Sequence, residues 1–220
     1  LMLTIDRTVQ FTVEQHLEQA LYNYGAASGQ IIVMDPKSGA ILALASYPEF
    51  DPNLFYNIEA EEILHPVVSK QFEPGSVIKL ITMAAALDSG AVTPESTYYD
   101  SGELFLGGHR TVNWTRLAHG QVDMTTLLAQ SLNVGAATLA LWMGTDVYYD
   151  YMQSFGFGRP TGIDLRAEAS GQMPLPGNKY WEESFLATNA YGQSIAVTPI
   201  QMATAISALA NEGTMMQPYI

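Results

Sequence analysis

Pro74-Gly75-Ser76-Val77-Ile78-Lys79 places a hydroxyl and an amine three residues apart at the start of an apolar segment. From Ser76 to about Ser89 the pattern predicts a helix, with Ile78, Ile81, Met83, Ala84, Ala85, Ala86 and Leu87 making it apolar nearly all round and therefore buried. Pro74 and Gly75 set a sharp turn into it, and Gly90 is a stop. Residues at i and i+3 share a helix face with Cβ atoms roughly 5–6 Å apart, so the Lys79 amine is expected to reach the Ser76 hydroxyl and share a proton with it. An ordinary lysine, with a pKa of about 10.4, is almost never neutral at pH 7. Burial and the positive end of the helix dipole both disfavour the ammonium and push Lys79 towards a usable base. The Ser76 backbone N–H at the same helix start is a candidate oxyanion donor. This is the layout of an activated serine nucleophile.

A Ser-x-x-Lys spacing also arises by chance, so its weight depends on company. Ser131-Leu132-Asn133 is the only Ser-x-Asn in the chain, as Ser76 to Lys79 is the only Ser-x-x-Lys. It closes an amphipathic run from Val122 to Gln130 whose apolar positions Met124, Leu127 and Leu128 fit helical spacing. A turn between two helices there could present Ser131 as a proton relay, with the Asn133 amide orienting Lys79 and binding a substrate carbonyl. The alternative is a plain helix cap, since serine and asparagine are both favoured cap residues.

The 220 residues are 48% hydrophobic, enough for a substantial core. Nine basic against 22 acidic residues give a formal charge of −13, which argues against binding nucleic acid or an anionic membrane through charge. Without cysteine there are no disulfides or thiolate metal sites. His16, His65, His109 and His119 lack metal-ligand spacing, and neither a metal nor a cofactor is expected. Glu61-Glu62 and Glu182-Glu183 could suggest paired carboxylates for glycoside cleavage, but adjacent acids fit a solvated surface better. Trp114, Tyr98 and Tyr99 either line a groove or, the favoured reading, pack.

Elsewhere, Val9, Val13, Leu17 and Leu21 recur every fourth residue in a helix ending at Gly25. Residues 94–120 read as an irregular or short-stranded excursion, and 168–181 as a surface loop. Thr198-Pro199-Ile200-Gln201 carries a capping-box helix start. No stretch approaches the roughly 20 apolar residues of a membrane span.

Together the two motifs resemble the penicillin-binding, serine D,D-transpeptidase family, which includes the serine β-lactamases. The resemblance extends, in the family's order, over nearly the whole chain. Ile32 to Ser46 is similar to its opening hairpin, and Pro48-Glu49-Phe50-Asp51-Pro52-Asn53 to the segment that follows in the monofunctional, class B members. Phe155-Gly156-Phe157-Gly158 with Thr161 to Leu165 matches a family loop, and Tyr191-Gly192-Gln193-Ser194, Thr198 to Ala203 and Ala210 to Gly213 match the helix after it.

The resemblance implies an α/β fold of α+β type: helices on an antiparallel sheet, plus an all-helical subdomain bearing the second motif. It implies that residues 1–220 form a transpeptidase domain incomplete at its C-terminus, since the family's third motif, Lys-Thr/Ser-Gly, follows the Ser-x-Asn on a strand that this chain does not reach. Lys37-Ser38-Gly39 satisfies that pattern but lies between two apolar runs and reads as a hairpin turn.

The implied chemistry is acyl transfer. Ser76 attacks the D-Ala-D-Ala carbonyl of a peptidoglycan stem peptide, Lys79 takes its proton, and Ser131 with Asn133 completes the relay; β-lactams trap the same serine. Stem peptides, β-lactams and, for the parent protein, other cell-wall synthesis proteins are the expected partners. The expected location is the extracytoplasmic face of the bacterial membrane, with an anchor and stalk in the parent and a soluble fragment here. The rival readings are a β-lactam hydrolase or sensor of the same superfamily and a non-catalytic peptide-binding scaffold.

Overall fold

The computed structural model describes residues 2–49, 53 and 64–220. Phe50-Asp51-Pro52 of the class B segment and the Glu61-Glu62 pair lie outside the described residues. The chain divides into two compact units, the first made of Leu1–Gln71, Arg159–Gly171 and Thr198–Ile220, the second of Phe72–Gly158 and Gln172–Val197.

In the first unit Asp6 caps helix α1 (Arg7–Tyr24) by accepting from the Thr8 and Val9 amides, and Gly25 ends it in the left-handed conformation. The fourfold spacing does what it predicts: Val13, Leu17 and Leu21 are the buried residues of α1 and pack on Ala43 and Ala45. Those alanines belong to β2 (Ile41–Tyr47), paired antiparallel with β1 (Gly29–Met34). The turn between them is the one expected of Lys37-Ser38-Gly39. The Asp35 carboxylate accepts from the Lys37 amide at 3.0 Å and the Ser38 hydroxyl at 2.6 Å, and Gly39 has φ 87°. The register slips between Val33 and Met34, so Ile41 leaves the face of Ala43 and Ala45. It joins a second cluster with Val67 and Val68 of the short helix α2 (Pro66–Ser69), Ile163, and Ile200 of α8 (Pro199–Ala210).

The capping box that opens α8 is present with both its bonds. Gln201 does more than cap. Its side-chain oxygen accepts from the Thr198 amide at 2.8 Å, and its nitrogen donates to the carbonyls of Arg159 (2.8 Å) and Ser170 (2.9 Å) in a site that is 1% exposed. Gln201→Ala orphans the buried Thr198 amide and removes the donor from two part-buried carbonyls, and should lower the unfolding free energy by about 2 kcal/mol in urea titrations.

The second unit carries the remaining elements. After the 3₁₀ turn Gly75–Ile78 come α3 (Lys79–Asp88), β3 (Thr97–Asp100), β4 (Glu103–Leu106), β5 (His109–Val112), β6 (Gly120–Asp123), α4 (Met124–Ala129), α5 (Asn133–Met143), α6 (Thr145–Ser154) and α7 (Ser184–Ala190). Strand β3 pairs with β6, and β4 with β5, both antiparallel. The class is therefore mixed, as expected, and the unit bearing the second motif holds two short strand pairs besides its helices.

Three local expectations change. Helix α3 is not apolar to the core all round: Leu80 and Leu87 are 43% and 38% exposed, while Lys79, Ile81, Thr82, Met83, Ala85 and Ala86 are buried. Val122 belongs to β6, opposite Tyr98, and not to a helix; the Asp123 carboxylate accepts from the Thr126 amide at 2.7 Å, so α4 begins after it. Of the three aromatic residues read as packing, only Tyr98 packs, at 4% exposed; Tyr99 and Trp114 are 72% and 93% exposed. Strand alternation separates the first two, since adjacent residues of β3 face opposite sides. Glu182 and Glu183 are exposed, as a solvated surface requires.

Candidate active site

Ser76 sits in the 3₁₀ turn behind Pro74, and Gly75 reaches the required φ of 56°. The Gly75 amide donates to the Gly192 carbonyl at 3.0 Å, so the Tyr191-Gly192-Gln193-Ser194 segment lies directly against the turn. A Cβ at Gly192 would overlap the Gly75 backbone, approaching its carbonyl carbon to 2.6 Å, and Gly192 has φ 87°. The same segment is tied down on both sides. The Glu73 carboxylate accepts from the Ser194 amide at 2.8 Å, the Thr82 hydroxyl donates to the Ala190 carbonyl at 2.9 Å, and Phe72 and Val197 exchange backbone bonds. Glu73 and Gly192 gave no signal of this in the sequence, because each acts on a residue more than a hundred positions away.

Lys79 opens α3 and is 2% exposed. Its ammonium donates to the Ser131 carbonyl at 2.6 Å, the Ser131 hydroxyl at 3.0 Å and the Asn133 Oδ1 at 2.7 Å. Three donors meet three acceptors, all of them neutral, and among the described residues no carboxylate pairs with Lys79. With burial uncompensated by an opposite charge, the amine's pKa falls from the ordinary lysine value to about 8.

The expected contact between Lys79 and the Ser76 hydroxyl is not made in this state. Among the described residues no hydrogen bond joins Lys79 to Ser76, because all three ammonium donors are turned to the second motif. Ser76 itself is exposed. The structure thus brings Lys79, Ser131 and Asn133 together by hydrogen bonds, with Ser76 one turn before Lys79 in the chain.

The cap alternative for the second motif also falls. Leu132 is the N-cap of α5 and makes no side-chain cap bond, while Asn133 is the first helical residue. The Asn133 amide bridges instead: Oδ1 accepts from Lys79 and Nδ2 donates to the Val112 carbonyl of β5 at 3.0 Å. Ser131 adopts φ 53°, and both its carbonyl and its hydroxyl accept from the same ammonium. Chemically, the cluster is a buried amine of lowered basicity, a hydroxyl in hydrogen-bond contact with it, and an amide that fixes the amine. Among the described residues no group of three or more His, Asp or Glu could hold a metal ion.

The chain is similar to known proteins over nearly its whole length. Stage V sporulation protein D of Bacillus subtilis (strain 168) is 37% identical over 221 residues, covering 99% of this chain and 34% of its own length. Penicillin-binding protein PbpB of Mycobacterium tuberculosis is 34% identical over 223 residues, covering 100% of this chain and 32% of its own. The chain thus spans about a third of the length of these curated relatives. Among solved structures, penicillin binding protein 3 from Mycobacterium tuberculosis complexed with ampicillin superposes with a TM-score of 0.90 at 33% identity, over 99% of this chain and 48% of that one. The family model described as the penicillin binding protein transpeptidase domain matches residues 29–220. The chain belongs to the penicillin-binding protein transpeptidase domain family, in its class B branch.

Proposed function

We propose that this chain supplies the nucleophile, base and relay of a peptidoglycan D,D-transpeptidase, and that β-lactams acylate the same serine. The observation that carries the proposal is the convergence of Ser131 and Asn133, 52 and 54 positions on, upon the buried, uncompensated amine of Lys79, one turn after Ser76. A pKa of about 8 leaves about a tenth of Lys79 neutral at pH 7, against well under a thousandth for an ordinary lysine.

In the proposed reaction the neutral Lys79 amine, having lost one proton, keeps two donors on the second motif and turns its lone pair to accept from the Ser76 hydroxyl. Ser76 Oγ then attacks the carbonyl carbon of the penultimate D-Ala as its proton passes to Lys79. The tetrahedral adduct expels the terminal D-Ala, whose amine takes that proton back through the Ser131 hydroxyl. An amine from a neighbouring stem peptide attacks the ester, its proton returns to Ser76 by way of Lys79, and a new amide is left. The Ser76 backbone N–H, at the 3₁₀ turn, is the proposed oxyanion donor on this chain.

A stem-peptide substrate places the reaction outside the cytoplasmic membrane. Among the described residues no helix is long and apolar enough to cross a membrane.

The test is covalent labelling of the intact protein with a fluorescent penicillin. We expect stable label on the wild type and none on Ser76→Ala. Equal labelling of the two would sink the acyl-enzyme, and label lost by turnover within seconds would point to a hydrolase.

A further inference from the structure

Asp100 is 0% exposed, and among the described residues no cation meets its carboxylate. A carboxylate taken out of water without a counter-charge is expensive, and this one is kept by neutral donors alone. The Gly102 amide donates at 2.7 Å, the Asn113 Nδ2 donates to both oxygens at 3.0 and 2.8 Å, and the Tyr98 hydroxyl donates at 3.4 Å.

The Asn113 side chain, 1% exposed, is consequently locked in one orientation. Turning its amide over would set its oxygen against the Asp100 carboxylate. In the locked orientation Asn113 Oδ1 accepts from the Val134 amide at 3.1 Å, the residue directly after Asn133. The carbonyl directly before Asn113, that of Val112, accepts from Asn133 Nδ2 at 3.0 Å. Asn133 is therefore held at its side chain and at its C-terminal peptide by two adjacent residues of one segment. A separate contact seats the same helix: a methyl at Gly135 would come within 2.5 Å of the Tyr98 hydroxyl, so α5 lies against β3 with no slack.

We propose that Asp100 and Asn113 are positioning residues that fix the Asn133 amide against Lys79. The proposal rests on the acyl-enzyme reading for its catalytic consequence. Neither residue touches substrate; each acts through Asn133. The Asp100 carboxyl group, accepting from Asn113 Nδ2 with both oxygens, sets the one amide orientation that leaves an oxygen for the Val134 amide.

The test is a double-mutant cycle on the intact protein, read as the rate of fluorescent-penicillin labelling and as Tm. Asn113→Ala should slow labelling about 10-fold, the scale on which outer-shell partners of a reactive group act. Added to Asn133→Ala it should cause little further slowing, because the effect runs through Asn133. A purely structural defect would instead multiply the two losses. Asp100→Asn leaves two amide nitrogens facing each other and should also slow labelling. The swap Asp100→Asn with Asn113→Asp restores a donor opposite a carboxylate, though it turns an oxygen on the Leu117 carbonyl to which Asn113 Nδ2 donates at 3.3 Å, and should recover part of the rate; it decides the matter if Asn113→Ala does not fold. Wild-type labelling by Asn113→Ala, multiplying losses, or a swap no better than Asp100→Asn would each overturn the proposal. A wild type that takes no label would overturn the acyl-enzyme instead. The Tm cycle would still decide the positioning, with less-than-additive losses for Asn113→Ala and Asn133→Ala supporting it and additive losses overturning it.

Discussion

Lys79→Met should slow acylation of Ser76 by penicillin by about 10²–10⁴-fold, the usual contribution of a positioned general base. Methionine keeps most of the buried stem while removing the only amine in the cluster, so the loss reports proton transfer more than packing. Wild-type labelling should rise through about pH 8 as the amine becomes neutral, and the variant should lose that limb. The same substitution tests the environment of the amine through stability. The folded pKa of about 8 lies below the unfolded lysine value, so between the two the unfolded chain binds more protons than the folded one, and raising the pH favours folding. From pH 7.5 to 9.5 this term adds about 2 kcal/mol to the unfolding free energy. It should be present in urea titrations of the wild type and missing from Lys79→Met. A variant whose stability climbs with pH as steeply as the wild type's would show that Lys79 is not the group responsible.

Gly192→Ala should be the most damaging single-methyl change in the second unit. The added carbon would overlap the Gly75 backbone, and the residue would be forced to φ 87°, which L side chains rarely adopt. Overlap with backbone cannot be relieved by rotating a side chain, so the two segments must separate. We expect a loss of about 3–5 kcal/mol from overpacking and backbone strain together, and slower labelling by any protein that still folds, because Gly75 immediately precedes Ser76. Gly75→Ala is the control. It also has positive φ, but a Cβ there meets nothing within 4 Å, so only the backbone term of about 1–2 kcal/mol applies. Comparable Tm losses for the two variants would contradict the close approach.

What was legible in the sequence was local. The spacing of Val13, Leu17 and Leu21 marked the buried face of α1, and Thr198 with Gln201 marked the start of α8, because a helix period and a capping box are complete within a few residues. Ser76 and Lys79 could be placed one turn apart for the same reason, yet the contact expected between them is not made, and the ammonium is given over entirely to the Ser131 and Asn133 partners expected of the second motif. Its three acceptors lie 52 and 54 positions away, and a buried ammonium goes where acceptors saturate it. Asp100 and Asn113 left no trace at all, since an acidic residue and an asparagine 13 positions apart acquire meaning only when the intervening strands fold back. The exposure of Leu80 and Leu87 was hidden by a segment so rich in alanine and isoleucine that no polar face marked the side away from the core.

Ser131 carries two ligands to one ammonium only because its backbone turns left-handed, a conformation that costs a residue with a side chain about 1–2 kcal/mol. Glycine would adopt the same turn without strain, keep the carbonyl, and discard the hydroxyl. Folding and the proposed proton relay therefore select opposite residues at this single position. A duplicated gene released from its chemistry could take glycine here and become sturdier as it fell silent, so inactive descendants of such a domain need not be unstable ones.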